Sequence, residues 1–235
     1  MVPLRDDNPV RITPYVTYGL IAVNILVFIY ETTLSEPALN AFLRTWAVVP
    51  REISLNLEGA IIPTSPVPEW ITLISSQFLH GGFLHIAGNM LFLWIFGNNV
   101  EERLGHIKYL IFYISCGILA ALSQWIFAQD STIPSLGASG AIAGVMGAYI
   151  LRYPQAEIIT LIPLGFFTNI VRVPAYFFLG FWFVQQAFNG LASLNTPIDM
   201  GMQGGVAYWA HAGGFIFGAI LGPLLGLFSK SSEEY

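Results

Sequence analysis

Two side chains of this chain stand out as able to do chemistry together: a serine in Leu136-Gly137-Ala138-Ser139-Gly140-Ala141 and a histidine in Ala210-His211-Ala212-Gly213-Gly214. A serine hydroxyl is a weak nucleophile until a neighbouring base takes its proton, and histidine is the side chain whose protonation changes near neutrality. Ser139 and His211 are therefore the candidate dyad for nucleophilic hydrolysis. Ser139 stands at the mouth of an apolar helix, where unpaired backbone N–H groups and the positive end of the helix dipole suit an oxyanion. No Asp or Glu falls in the apolar segments near His211, so a third, orienting carboxylate is not expected and packing would hold the imidazole. A serine here also suits an N-cap, and Ala141 stands where the nucleophile elbow of soluble hydrolases needs a glycine. The histidine is the stronger sign, because ionisable groups in apolar helices are costly and face a cavity or a partner.

A second constellation is His85 and Asn89, spaced i, i+4 and so on one helix face. Their side chains can donate to an oxyanion; the plainer reading is hydrogen bonding between helices. His80, beside Gly81-Gly82, and His106, in a turn, read as non-catalytic. The lone cysteine, Cys116, reads as a small buried hydrophobe, and no Cys/His cluster suggests a metal.

The elements that must position these groups follow from composition. The chain is 55% hydrophobic and 10% charged, with a mean hydropathy of +0.65, against roughly 25% charged residues in soluble domains. This predicts an all-α, polytopic membrane protein. A net charge of -5 with no basic run argues against a nucleic-acid partner. Apolar runs predict six transmembrane helices at residues 15–30, 83–100, 109–128, 139–151, 174–188 and 206–228. Residues 1–14, with Pro3, Pro9 and Pro14, read as an irregular cytoplasmic tail, 15–228 as one transmembrane domain and 229–235 as a second cytoplasmic tail. The connection 31–77 is too polar to span, and Trp46 and Trp70 suit an interfacial location.

Basic residues set the expected orientation. Cytoplasmic termini place Arg5, Arg11, Arg103, Lys108, Arg152, Arg172 and Lys230 inside and only Arg44 and Arg51 outside. Ser139 then lies roughly 10 Å, and His211 about 8 Å, below the outer surface. Gly214, Gly218 and Gly222 line one face of the sixth helix. Ser139, Ala143 and Gly147 line one face of the fourth, with Gly140 and Gly144 beside it. Such stripes let helix backbones approach closely in lipid.

These residues, in this order, resemble the rhomboid family of intramembrane serine proteases. The resemblance runs from Asn24 through Trp70, Ser76-Gln77-Phe78-Leu79-His80-Gly81-Gly82, His85-Ile86-Ala87-Gly88-Asn89-Met90, Gly97, Val100-Glu101 and Arg103-Leu104-Gly105. It continues in Gly137-Ala138-Ser139-Gly140-Ala141 and ends in Ala210-His211-Ala212-Gly213-Gly214-Phe215 with Gly218. It implies Ser139 as nucleophile, His211 as general base and then acid, and His85, Asn89 and the Ser139 N–H as oxyanion donors. Gly137 would shape the turn before Ser139; Gly140, Gly214 and Gly218 would serve turn and packing; Glu101 and Arg103 would be structural. It further implies that 31–77 lies sideways in the outer leaflet, that the fifth helix with Trp182 flanks a lateral route for substrate, and that 189–203 caps the site. Thr72 departs from members carrying Arg there. The expected activity is cofactor-free, metal-free endoproteolysis of single-span membrane proteins in the plasma membrane, with the site open to the outer side. The alternative from another class is a rhomboid-like protein that binds transmembrane clients without cutting them. Retention of both Ser139 and His211 favours the protease.

Overall fold

The computed structural model describes residues 1–59, 67–164, 167–194 and 206–229. In chain order these form β1 (Val2–Asp6), α1 (Tyr15–Thr33), α2 (Glu36–Trp46), α3 (Pro50–Leu57) and α4 (Glu69–Ser75) with a 3-10 turn over Ser76–Phe78. Then follow α5 (Phe83–Leu104), α6 (His106–Phe127), α7 (Ser139–Arg152), β2 (Glu157–Leu164), β3 (Phe167–Pro174), α8 (Ala175–Ser193) and α9 (Tyr208–Leu225). The architecture is a mainly helical bundle, as expected, and the long helices begin and end within a few residues of the predicted spans.

α1, α6 and α9 are each long and apolar enough to cross a membrane alone. α4 with its 3-10 turn and α5 together reach the same length and apolarity, as a pair bent by 85°. α7 does not, and its place in the bundle explains why. At 14 residues it rises only about 21 Å, yet every residue from Gly140 to Tyr149 is buried. A helix walled by protein need not match the bilayer by itself. α7 packs mainly on α9, α6 and α5, and the core around it holds Phe96, Tyr109, Phe112, Tyr113, Met146 and Tyr149, none more than 1% exposed.

Glycine sets the α7–α9 distance. A Cβ on Gly218 would collide with the Gly144 backbone, one on Gly214 with the Gly140 carbonyl, and one on Gly147 with the Phe215 carbonyl. The two predicted stripes thus face each other with backbone against backbone. Cys116, fully buried, fills the space opposite Gly144.

One reading of the connections is corrected. Residues 1–14, expected to be irregular, contain β1, and the stretch between α7 and α8 is a hairpin. Together they form an antiparallel sheet in the order β1-β2-β3. Pro3 is tolerated because β1 is an edge strand with a register shift between Pro3 and Arg5. Pro163 lies beyond Leu161, the last β2 residue paired with β1. The described residues of the connection 31–77 are mostly the short helices α2, α3 and α4; Trp70 projects from α4, 67% exposed.

The sheet is tied to the bundle by polar contacts. Tyr149 of α7 donates to Asp6 Oδ2 at 2.6 Å, and Asn99 of α5 donates to the same oxygen at 2.9 Å. At the same end, fully buried Glu101 accepts from the Val16 N–H, the Thr17 N–H and the Thr17 hydroxyl at 2.9, 2.8 and 2.6 Å. It thereby satisfies orphan donors at the α1 N-terminus, and His106 Nδ1 lies 2.6 Å from it.

Candidate active site

At the opposite end, α7 and α9 open toward a common space. Ser139 is the first residue of α7 and His211 sits one turn into α9. His211 Nε2 lies 2.8 Å from Ser139 Oγ, a hydrogen-bonding distance that puts the base on the nucleophile. Ser139 is not the helix cap: Ala138 holds that position, and no side chain caps the helix there. The hydroxyl is thus free for His211, while the first N–H groups of α7 have no intrahelical acceptors.

The turn into α7 depends on Gly137. Its φ of +120° is a backbone state that side chains disfavour, and its N–H donates to the Ser76 carbonyl at 2.8 Å. A Cβ there would also stand 2.8 Å from His85 Nε2 and 3.6 Å from Asn89 Nδ2. One glycine therefore turns the chain and leaves room for both candidate oxyanion side chains. A cavity of about 800 Å³ lies over the pair, its walls including His85, Asn89, Leu136, Ser139, Val206 and His211. His85, Asn89, Ser139 and His211 come from three helices far apart in sequence and meet at this one space.

Two residues escaped the sequence reading. His80, set aside as non-catalytic, is 2% exposed and places its Nε2 2.9 Å from Asn89 Nδ2. Its backbone N–H points to the buried carboxylate of Glu31, 3.3 and 3.4 Å from the two oxygens. The second is Gln186 of α8, whose Oε1 lies 2.9 Å from His211 Nδ1. The imidazole was expected to be held by packing alone, and packing is half of the answer: the Trp182 ring lies 5.5 Å from the imidazole centroid, tilted by 35°. Gln186 supplies the polar half. The available signal was a glutamine four residues after Trp182 in a Phe-rich helix, where a buried amide needs a partner.

Of the remaining expected residues, Gly140, Gly214 and Gly218 lie in the α7–α9 contact. Thr72 is buried and donates to the Glu69 carbonyl at 2.8 Å. The loop expected over 189–203 is helical as far as Ser193, the end of α8; its remainder lies outside the described residues after 194, and the final tail does so after 229.

A family model described as "Rhomboid domain" matches residues 67–228. The chain is 32% identical over 222 residues to "Rhomboid protease GluP" of Bacillus subtilis (strain 168), covering 92% of this chain and 37% of that protein. It is 31% identical over 219 residues to "Rhomboid protease AarA" of Providencia stuartii, covering 87% of this chain and 70% of that one. It is 28% identical over 221 residues to "Rhomboid protein 1, mitochondrial" of Saccharomyces cerevisiae (strain ATCC 204508 / S288c), covering 92% and 54%. The chain thus spans little more than a third of the first of these relatives.

Proposed function

This chain belongs to the rhomboid family, and on that premise we propose that it is an intramembrane serine endopeptidase cutting single-span membrane proteins with a Ser139–His211 dyad. The observation that carries the reading is the 2.8 Å contact between His211 Nε2 and Ser139 Oγ beneath a cavity of about 800 Å³. His211 takes the hydroxyl proton as Ser139 attacks the scissile carbonyl, and returns it to the leaving amine. The acyl-enzyme is then hydrolysed by water activated on the same imidazole. The oxyanion forms where the N–H of Ser139 and the side chains of Asn89 and His85 can donate, so these groups act on charge that develops in the transition state.

The depth of the site suits a membrane substrate. Ser139 opens a helix that begins inside the bundle, so a peptide bond must leave its own helix to reach it. The charge distribution supports cytoplasmic termini and a site open to the outer side; the membrane in this reading is the plasma membrane.

A fluorophosphonate probe tests the dyad without knowledge of the substrate. Ser139 is expected to be labelled in the folded protein, and labelling is expected to vanish in Ser139→Ala and His211→Ala. A histidine variant that labels at the wild-type rate would remove His211 from the role of base.

A further inference from the structure

We infer that Gln186 is a positioning residue for the base: its side-chain oxygen accepts a hydrogen bond from the N–H at His211 Nδ1 and so presents a bare Nε2 to Ser139. The inference rests on the protease reading above and adds to it a third group on a third helix.

The argument begins with what each atom can do. An amide oxygen only accepts hydrogen bonds, so with Gln186 Oε1 facing His211 Nδ1 at 2.9 Å the contact is a hydrogen bond when the proton is on Nδ1. Neutral imidazole carries one N–H, and fixing it on Nδ1 leaves the lone pair on Nε2. That lone pair is the one 2.8 Å from Ser139 Oγ. The opposite tautomer would aim an N–H at the serine and could not remove its proton. Gln186 thus selects the competent form. It also accepts from the imidazolium after proton transfer, without bringing a full negative charge into an apolar bundle.

α8 is built to hold this amide in place. Gln186 is 7% exposed and lies on the face that also carries Leu179, Trp182 and Gly190, at spacings of three and four residues. Trp182 lies against the imidazole in a tilted arrangement, 5.5 Å between centroids, and Phe183 stacks on Phe215 of α9 at 4.8 Å. At Gly190, a Cβ would stand 3.1 Å from the Trp209 ring, so the glycine lets α8 lie close to α9 where the amide must reach. Among the described residues, the polar and titratable groups around His211 are Ser139 from α7, Gln186 from α8 and His85 from α5. None of these described groups is a carboxylate that could compete with Gln186 for Nδ1.

The test compares Gln186→Leu, which keeps volume and loses the acceptor, with Gln186→Glu, which restores one. In Gln186→Leu, kcat and the fluorophosphonate labelling rate of Ser139 are expected to fall tenfold or more while KM stays in place. Gln186→Glu is expected to recover labelling, with the acid limb of its pH profile moved to higher pH because a carboxylate favours the imidazolium. The chain has four histidines, so ¹⁵N-histidine spectra, assigned against His211→Ala, read the tautomer directly. Wild type is expected to show Nδ1–H at His211, and Gln186→Leu to lose that preference. The inference is overturned if Gln186→Leu labels at the wild-type rate with an unchanged tautomer, or if Leu and Glu variants lose labelling equally. A wild type that never labels would sink the protease reading, and the spectra would still decide the role of Gln186.

Discussion

Asn89 Nδ2 carries two hydrogens, and His80 Nε2, 2.9 Å away, takes only one. The other is free for an oxygen in the cavity, and the contact to His80 fixes the direction in which it points. Such a donor strengthens as charge develops, so its loss appears in turnover and not in substrate binding. Asn89→Ala is expected to lower kcat by about a hundredfold or more, about 3 kcal/mol, with KM near wild type. Normal turnover with a tenfold higher KM would instead assign Asn89 to holding substrate or α5. At this scale Ser139 and His211 were legible because each ends a stripe of small residues at matched depth. Gln186 was not, because helical periodicity shows which face an amide is on but not which neighbour it meets.

Between α7 and α9 the helix contact is made by backbone, so there is no side chain to yield when bulk is added. Gly218→Leu would drive a side chain into the Gly144 backbone. It is expected to separate the helices that carry Ser139 and His211 and to abolish labelling together with a lower melting temperature. Full cleavage by this variant would mean that the dyad does not depend on this contact. The sheet at the other end makes a different prediction. Burial holds the Asp6 carboxyl above its ordinary value of 3.8, outweighing the hydrogen bonds from Tyr149 and Asn99 that favour the anion. A folded-state value above the unfolded one means that folding binds a proton. The stabilisation is then greatest below pH 3.8 and is lost as pH rises through the folded value. Melting temperature should therefore decline with rising pH more steeply in wild type than in Asp6→Asn, and equal slopes would contradict the assignment. The strands themselves were hidden by their prolines, which read as breaks until edge position and register show that no ladder bond is missing. The signal that could have revealed β2 is its β-branched run Ile158-Ile159-Thr160, of which Ile158 and Thr160 are buried.

Across the whole molecule, the sheet joins residues on both sides of α1, α5, α6 and α7, so its strands share one side of a membrane only if the chain crosses an even number of times between them. Four long helices lie in that interval, which agrees with the proposed topology. Impermeant thiol reagents can read the sides, since Cys116 is buried. Cysteine placed at Pro134 is expected to react from outside intact cells, and at Lys108 not to; the reverse would turn the active site toward the cytoplasm. The same closure has a consequence in time. β1 at Val2–Asp6 is synthesised roughly 150 residues before its partner β2 at Glu157–Leu164, which at about 5–20 residues per second leaves an open strand edge waiting for about 8–30 s. During that interval the newborn chain offers its unpaired backbone to any passing strand, and the bundle cannot be finished at one end until α7, the helix that carries the serine, has already left the ribosome.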